Sequence, residues 1–140
     1  MIRAGSAPVS RSSRPWFLKV NRLAVDAGQV EHRGVDEAGC FRKPARWCDT
    51  SGPITATANE GITLMDHPMN LNHPVPFHVR NDGWMGAALT FPGAHAIRPG
   101  EPLRLRYGLC VHCGILPIAG LLARWEDVAK TTFEDFPRKK

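Results

Sequence analysis

An alternating stretch near the carboxyl end of the chain restricts the fold more than any other feature. Between residues 103 and 112, the odd positions are apolar and the even positions are polar or small; the apolar set is Leu103, Leu105, Tyr107, Leu109 and Val111. A period of two over such a length is typical of a β-strand with one buried and one solvated face. The pattern therefore predicts an antiparallel sheet with one side facing water, and it predicts the apolar side as the packed one.

A helical period follows this strand. Apolar residues from Ile118 to Ala129 recur three, four and seven positions apart, and Pro117 stands near the predicted helix start. Shorter strand patterns at 45–50, 61–66, 77–80 and 85–91 end at turn sequences rich in Gly, Pro and Asn. We therefore predict a mainly β fold: an incomplete antiparallel β-sandwich with one C-terminal amphipathic helix.

The composition and the charge distribution of the chain limit the classes of partner that it is expected to bind. The chain has 140 residues and a formal net charge of +5, and the excess charge lies in residues 1–46, which carry nine basic and four acidic side chains. No apolar run is long enough for a bilayer span, and no nucleic-acid recognition motif is present. We predict a soluble chain without a membrane or nucleic-acid partner. Residues 1–38 are expected to form a basic, poorly ordered arm and residues 39–140 the β domain.

Four cysteines allow two interpretations, structural zinc and free thiols. Cys110 and Cys113 have C-x-x-C spacing, whereas seven residues separate Cys40 from Cys48, unlike a zinc knuckle. Within a strand, Cys110 and Cys113 would project to opposite faces. These observations favour free thiols in a reducing, cytoplasmic environment.

The segment 66–80 concentrates the side chains that could carry chemistry. Its polar groups are Asp66, His67, Asn70, Asn72, His73, His78 and Arg80. Prolines at positions 68, 74 and 76 restrict the backbone around them. A polar loop of this kind can hold donors and acceptors in place before a ligand binds.

Three interpretations of this loop remain open from the residues alone. His67, His73 and His78, with Asp66, could ligate a divalent metal such as zinc, copper or iron. Alternatively, Arg80 could fix an oxyanion or hydroxyl group while an imidazole such as that of His78 transfers a proton. The histidines could instead hold the loop through hydrogen bonds from ring to backbone.

Four segments resemble a bacterial protein family. They are RWCDTSGPI at 46–54, GITLMDHPMN at 61–70, HPVPFHVR at 73–80, and RPGEPLRLRY at 98–107 followed by Val111 and His112. Together they resemble the C-terminal part of the proteins catalogued as the PmoA family, or "methane oxygenase PmoA", over about residues 39–130. The resemblance implies a soluble bacterial β-sandwich protein, of which this chain would be a truncated copy.

The resemblance also implies a sugar or another polyhydroxylated ligand, because family members resemble proteins of bacteria that degrade complex carbohydrates. We accordingly predict that the loop 66–80 binds or processes a small carbohydrate-like molecule. The groups assigned to this function are the catalytic candidates Asp66, His67 and His78 and the ligand-binding candidates Asn70, His73 and Arg80.

Two alternatives are retained. One is a metal-dependent, oxygenase-type enzyme in which His67, His73 and His78 bind the metal. The other is a non-catalytic interaction fragment that self-associates through exposed strand edges.

Overall fold

The computed structural model describes residues 21–24, 31–35, 37–80 and 84–132. The elements in chain order are β1 (Asn21–Ala24), β2 (Glu31–Val35), α1 (Glu37–Cys40), β3 (Trp47–Pro53), β4 (Asn59–Asp66), β5 (Phe77–Val79), β6 (Met85–Ala87), β7 (Tyr107–Cys113) and α2 (Ile118–Ala129). The predicted mainly β, antiparallel fold with a C-terminal helix is confirmed. The helix also has the bounds that its apolar period indicated.

Five strands form one antiparallel sheet in the order β2-β1-β3-β4-β7, and β5 pairs with β6 in a second sheet of two strands. Across the part of the chain that is described, these sheets do not close into a barrel. β4 lies between β3 and β7 and pairs with both along its length. The loop 66–80, which the sequence analysis identified, therefore begins at one end of the sheet, where β4 ends at Asp66.

The large sheet extends into the stretch predicted to be an N-terminal arm. β1 pairs with β3 over four residues, and β2 pairs with β1. The boundary predicted at residue 38 therefore does not coincide with an edge of the sheet. Residues 1–20 lie outside the described residues, as does the poor order predicted for them.

Helix α2 covers one face of the large sheet. Trp47, Met65 and Leu121 are fully buried between the helix and the sheet, and Trp125 and Val128 pack against them. The helix approaches β7 closely at Gly108, where an added Cβ would lie 2.6 Å from Cγ2 of Val128. A small residue on this strand is thus a condition for the helix to dock.

The opposite face is only partly covered. The two-stranded sheet packs there around a buried cluster of Cys40, Ala45, Cys48, Val75, Phe77 and Val79. Farther along the same face, Ile62, Leu109 and Val111 are 45%, 72% and 75% exposed. They line an open apolar groove of about 340 Å³.

The structure corrects two expectations for the strand predicted over residues 103–112. β7 begins only at Tyr107, and its apolar side chains Leu109 and Val111 lie on the exposed face. The even positions face the helix, because Gly108 and Cys110 are small enough to admit it. An alternating pattern shows which residues share a face, but it does not show which face packs.

None of the helices among the described residues is long and apolar enough to cross a membrane.

Replacing Gly108 with alanine is expected to lower the free energy of unfolding by about 1–3 kcal/mol, because the new methyl group overlaps Val128 and displaces α2. Urea denaturation followed by circular dichroism measures the change. Gly93→Ala is the matched control, since nothing lies within 4 Å of a Cβ added there. Equal stability of the two variants would show that the helix does not need the close approach.

Candidate functional site

The carboxylate of Asp66 is the centre of the polar loop. The residue is fully buried at the end of β4. Its Oδ1 accepts a hydrogen bond from Nδ2 of Asn70 at 2.8 Å, and its Oδ2 accepts from Nδ1 of His73 at 2.6 Å and from the backbone N–H of Val75 at 3.0 Å. A buried carboxylate is costly unless such donors replace water, so Asp66 fixes both arms of the loop.

His73 has one engaged and one available ring nitrogen. Because Nδ1 donates to Asp66, the neutral ring carries its lone pair on Nε2. Within the described part of the chain, Nε2 has no hydrogen-bond partner, and the side chain is 15% exposed. The arrangement presents one oriented proton acceptor near the surface.

Helix α2 supports this imidazole through Trp125. The rings of His73 and Trp125 stack with an interplanar angle of 8° and centroids 6.2 Å apart. The indole N–H donates to the backbone oxygen of Asp66 at 2.8 Å, and the guanidinium of Arg46 lies 4.7 Å from the indole centroid. The sheet end, the loop and the helix therefore meet at one indole ring.

The side-chain amide of Asn70 forms the hydrogen bonds that the backbone of a neighbouring strand would otherwise form. Its Nδ2 donates to the backbone oxygen of Arg106 at 2.5 Å, and its Oδ1 accepts the backbone N–H of Arg106 at 2.7 Å. The amide thus satisfies both backbone groups of the residue that precedes β7. The same Nδ2 also donates to Asp66, so this residue couples the site to the beginning of the strand.

Both ring nitrogens of His67 are used inside the protein. Nδ1 accepts the backbone N–H of Met69 at 3.1 Å, so Nε2 carries the hydrogen and donates it to the backbone oxygen of Thr131 at 2.9 Å. The side chain is buried. This ring therefore connects the loop to the end of α2. For His67, the contacts agree with the interpretation that the histidines hold the loop through hydrogen bonds from ring to backbone.

His78 and Arg80 lie apart from this network. The His78 ring contacts Phe41 and Phe91 at centroid distances of 5.3 and 5.8 Å. Arg80 is exposed after the end of β5, and its backbone N–H donates to the oxygen of Trp84. The predicted residues that the structure brings together are Asp66, His67, Asn70 and His73.

No three His, Cys, Asp or Glu side chains among the described residues are placed to hold a metal ion. The set His67, His73 and His78 is therefore not assembled as a ligand sphere. The Asp66 and His73 pair is shared with backbone and amide donors, and within the described part of the chain it has no third metal-ligating side chain beside it.

Tyr107 is a neighbour that the sequence pattern assigned only to an apolar face. It pairs across the strands with Asp66. Burial, and secondarily the negative charge of Asp66, raise the pKa of Tyr107 above 10.0. The phenol therefore keeps its proton at neutral pH and can donate a hydrogen bond. Its position opposite Asp66 depends on strand register, which the sequence does not reveal.

A second buried polar cluster lies under α2. Oδ1 of Asp49 accepts from Oγ1 of Thr63 at 2.7 Å and pairs with Nε2 of His112 at 2.8 Å, while Oδ2 accepts from Oγ of Ser51 at 3.1 Å. Nδ1 of His112 contacts the backbone oxygen of Gly114 at 3.0 Å. With both nitrogens engaged, His112 stabilises the sheet and does not extend the site around His73.

The cysteines are free thiols in three environments. Cys40 and Cys48 are buried, Cys110 is half-buried and Cys113 is exposed. A hydrogen bond with Cys40, followed by burial, raises the pKa of the Cys48 thiol well above 9.0. The neutral Cys48 thiol therefore belongs to the apolar core.

The sequence matches DUF6807, described as a family of unknown function, over residues 11–126. The chain belongs to this family. The match begins before β1, in agreement with the pairing of β1 in the large sheet. No curated protein and no solved structure matches the chain. The resemblance to the PmoA family stays a prediction.

Asn70→Ala is expected to lower the free energy of unfolding by about 2–4 kcal/mol, because it leaves the backbone groups of Arg106 and one oxygen of Asp66 without their partner. Chemical denaturation measures the loss. Asn59→Ala, at an exposed position in β4, is the control and should stay within about 0.5 kcal/mol of the parent. Similar losses for the two variants would contradict the bridging role.

Iodoacetamide should modify Cys113 first under native conditions, and it should reach Cys40 and Cys48 only after unfolding. Because the pKa of Cys48 is raised above 9.0, moving the native protein to pH 9 should leave Cys48 unmodified. Peptide mass spectrometry after timed labelling gives the order. Native labelling of Cys48 at the rate of Cys113 would contradict the buried, neutral thiol.

Proposed function

We propose that this chain binds or processes a small, hydroxylated, carbohydrate-like molecule at His73. The observation that carries the proposal is the 2.6 Å contact between Nδ1 of His73 and the buried Asp66 carboxylate, which leaves Nε2 of a partly exposed ring available to a ligand. A paired carboxylate selects the ring tautomer and holds the imidazole in one orientation.

An imidazole held in this way suits a hydroxyl group. In binding, Nε2 accepts the hydrogen bond of a ligand hydroxyl. In processing, the same nitrogen takes the hydroxyl proton as a general base, and the Asp66 carboxylate stabilises the resulting imidazolium without accepting the proton itself. Burial of Asp66 strengthens this effect, because little water screens the pair.

Neighbouring groups add complementary functions. The protonated phenol of Tyr107, next to Asp66, supplies a hydrogen-bond donor, and Arg46 brings positive charge to the indole that His73 stacks against. Donor, acceptor and cation together suit a ligand that carries several hydroxyl groups and no net positive charge. The carbohydrate class itself is taken from the resemblance to the PmoA family.

The metal-dependent alternative has less support. It requires imidazole nitrogens to converge at about 2.0–2.2 Å from one ion. Both nitrogens of His67 are hydrogen-bonded within the protein, and the ring of His78 packs beside Phe41 and Phe91. The polar-ligand proposal rests instead on His73, whose Nδ1 contacts Asp66 and whose Nε2 has no hydrogen-bond partner among the described residues.

Titration of the protein with neutral monosaccharides and disaccharides, followed by the imidazole resonances in NMR spectra, tests the proposal. Binding sugars should shift the His73 resonances. His73→Gln should weaken binding about three- to tenfold, because one hydrogen bond to the ligand is lost or misplaced. His95→Gln is the control, since His95 is exposed outside the site and should bind as the parent does.

The variant Asp66→Asn tests whether the orientation of the His73 ring matters for binding, because it leaves His73 itself unchanged. It keeps the size of the side chain but allows the ring of His73 to adopt the other tautomer. If circular dichroism shows that folding is retained, binding should weaken. Sugars that bind but shift only other histidines, or equal affinities of the parent and His73→Gln, would overturn the proposal.

A further inference from the structure

The outer side of β7 is an open strand edge. β7 pairs with β4, and no strand of the described residues pairs with its other side. Two hydrogen bonds fix which backbone groups point outward: Gly114 N–H donates to Asn59 O, and Asp66 N–H donates to Arg46 O. Odd residues of β4 therefore bond to β7, and even residues bond to β3.

The register of β4 with β7 then assigns the outward groups. The N–H and C=O groups of Tyr107, Leu109, Val111 and Cys113 point away from β4, while those of the even residues point towards it. The open edge thus offers hydrogen bonds at every second residue over the seven residues of the strand.

The same positions carry an apolar surface. Leu109 and Val111 are 72% and 75% exposed and line the groove together with Ile54 and Ile62. β7 contains no proline and no Asp, Glu, Lys or Arg, which are the residues that usually protect a strand edge from pairing. Its chemistry therefore calls for a second β-strand with apolar side chains.

We propose that this strand is β7 of a second copy of the chain. In an antiparallel pair centred on Cys110, all seven residues are paired, and the outward groups of Leu109 bond to those of Val111 of the second copy. Leu109 and Val111 of the two copies then form one apolar cluster. Because β7 has no Asp, Glu, Lys or Arg, no such side chains repel one another across the pair, and the two-fold arrangement closes after two copies.

The geometry favours a strand over a small apolar ligand. Leu109 and Val111 line the groove but stay mostly exposed, so the groove would enclose little of such a ligand on the β7 side. A small apolar molecule would also leave the outward N–H and C=O groups of the edge without partners. A paired strand satisfies these groups and covers both side chains.

The mass of the full chain in solution, measured by light scattering over a dilution series, tests the proposal. The parent should approach twice the 15.5 kDa of one chain at high concentration and dissociate on dilution. Val111→Lys and Leu109→Lys should remain monomeric, because each places a lysine directly opposite an apolar side chain of the second copy and diagonally across from the equivalent lysine. Both side chains are exposed, so circular dichroism should show unchanged folding.

Ile97→Lys is the matched control, because Ile97 is 63% exposed and does not line the groove; it should associate as the parent does. Amide hydrogen exchange tests the strand edge itself. The amides of Leu109 and Val111 should become protected as the concentration rises, whereas those of Cys110 and His112 should be protected throughout. A parent that is monomeric at every concentration, a dimeric Val111→Lys, or a dimer with fast exchange at Leu109 and Val111 would overturn the proposal.

Discussion

The buried charge of Asp66 is the constraint on which the architecture around the loop depends. Its oxygens receive Asn70, His73 and the backbone of Val75, and its own backbone bonds to Arg46 and Trp125. The carboxylate and the backbone of this one residue thus connect the end of β4, the loop, the residue that precedes β3, and α2. Since a buried carboxylate without donors is strongly unfavourable, these elements assemble together, and the orientation of His73 is a product of the same requirement.

Local periods predicted much of the fold and little of its packing. The apolar period placed α2 at its observed bounds, and alternation identified β4 and β7. The prediction that the odd, apolar side of β7 is packed was wrong, because Gly108 on the even side admits the helix where a larger residue would exclude it. The order of the strands depends on contacts between distant residues, which no local pattern contains.

The composition of the loop 66–80 was enough to identify it as a candidate site. The composition did not show which of its residues meet at Asp66 and which lie apart. Asp66, Asn70 and His73 meet because prolines and turns bring a few successive residues back to one carboxylate. His78 belongs to a strand, where alternation directs it away from the buried side of Phe77. Trp125 comes from a distant part of the chain, so its stacking on the imidazole, and the contact of Arg46 with its indole, follow from tertiary packing alone.

Neighbouring residues of β7 direct their backbone groups and side chains to opposite sides of the strand. Even residues direct their backbone groups to β4 and their side chains to the face that the helix covers, while Leu109, Val111 and Cys113 direct both to the outside. Substitutions at these three exposed positions can therefore change the outer surface with little effect on the interior. A single inserted or deleted residue would exchange the two roles and place Leu109 or Val111 where Gly108 must be. The strand can therefore vary in side-chain chemistry at its exposed positions, whereas an insertion or deletion within it would shift its register against β4.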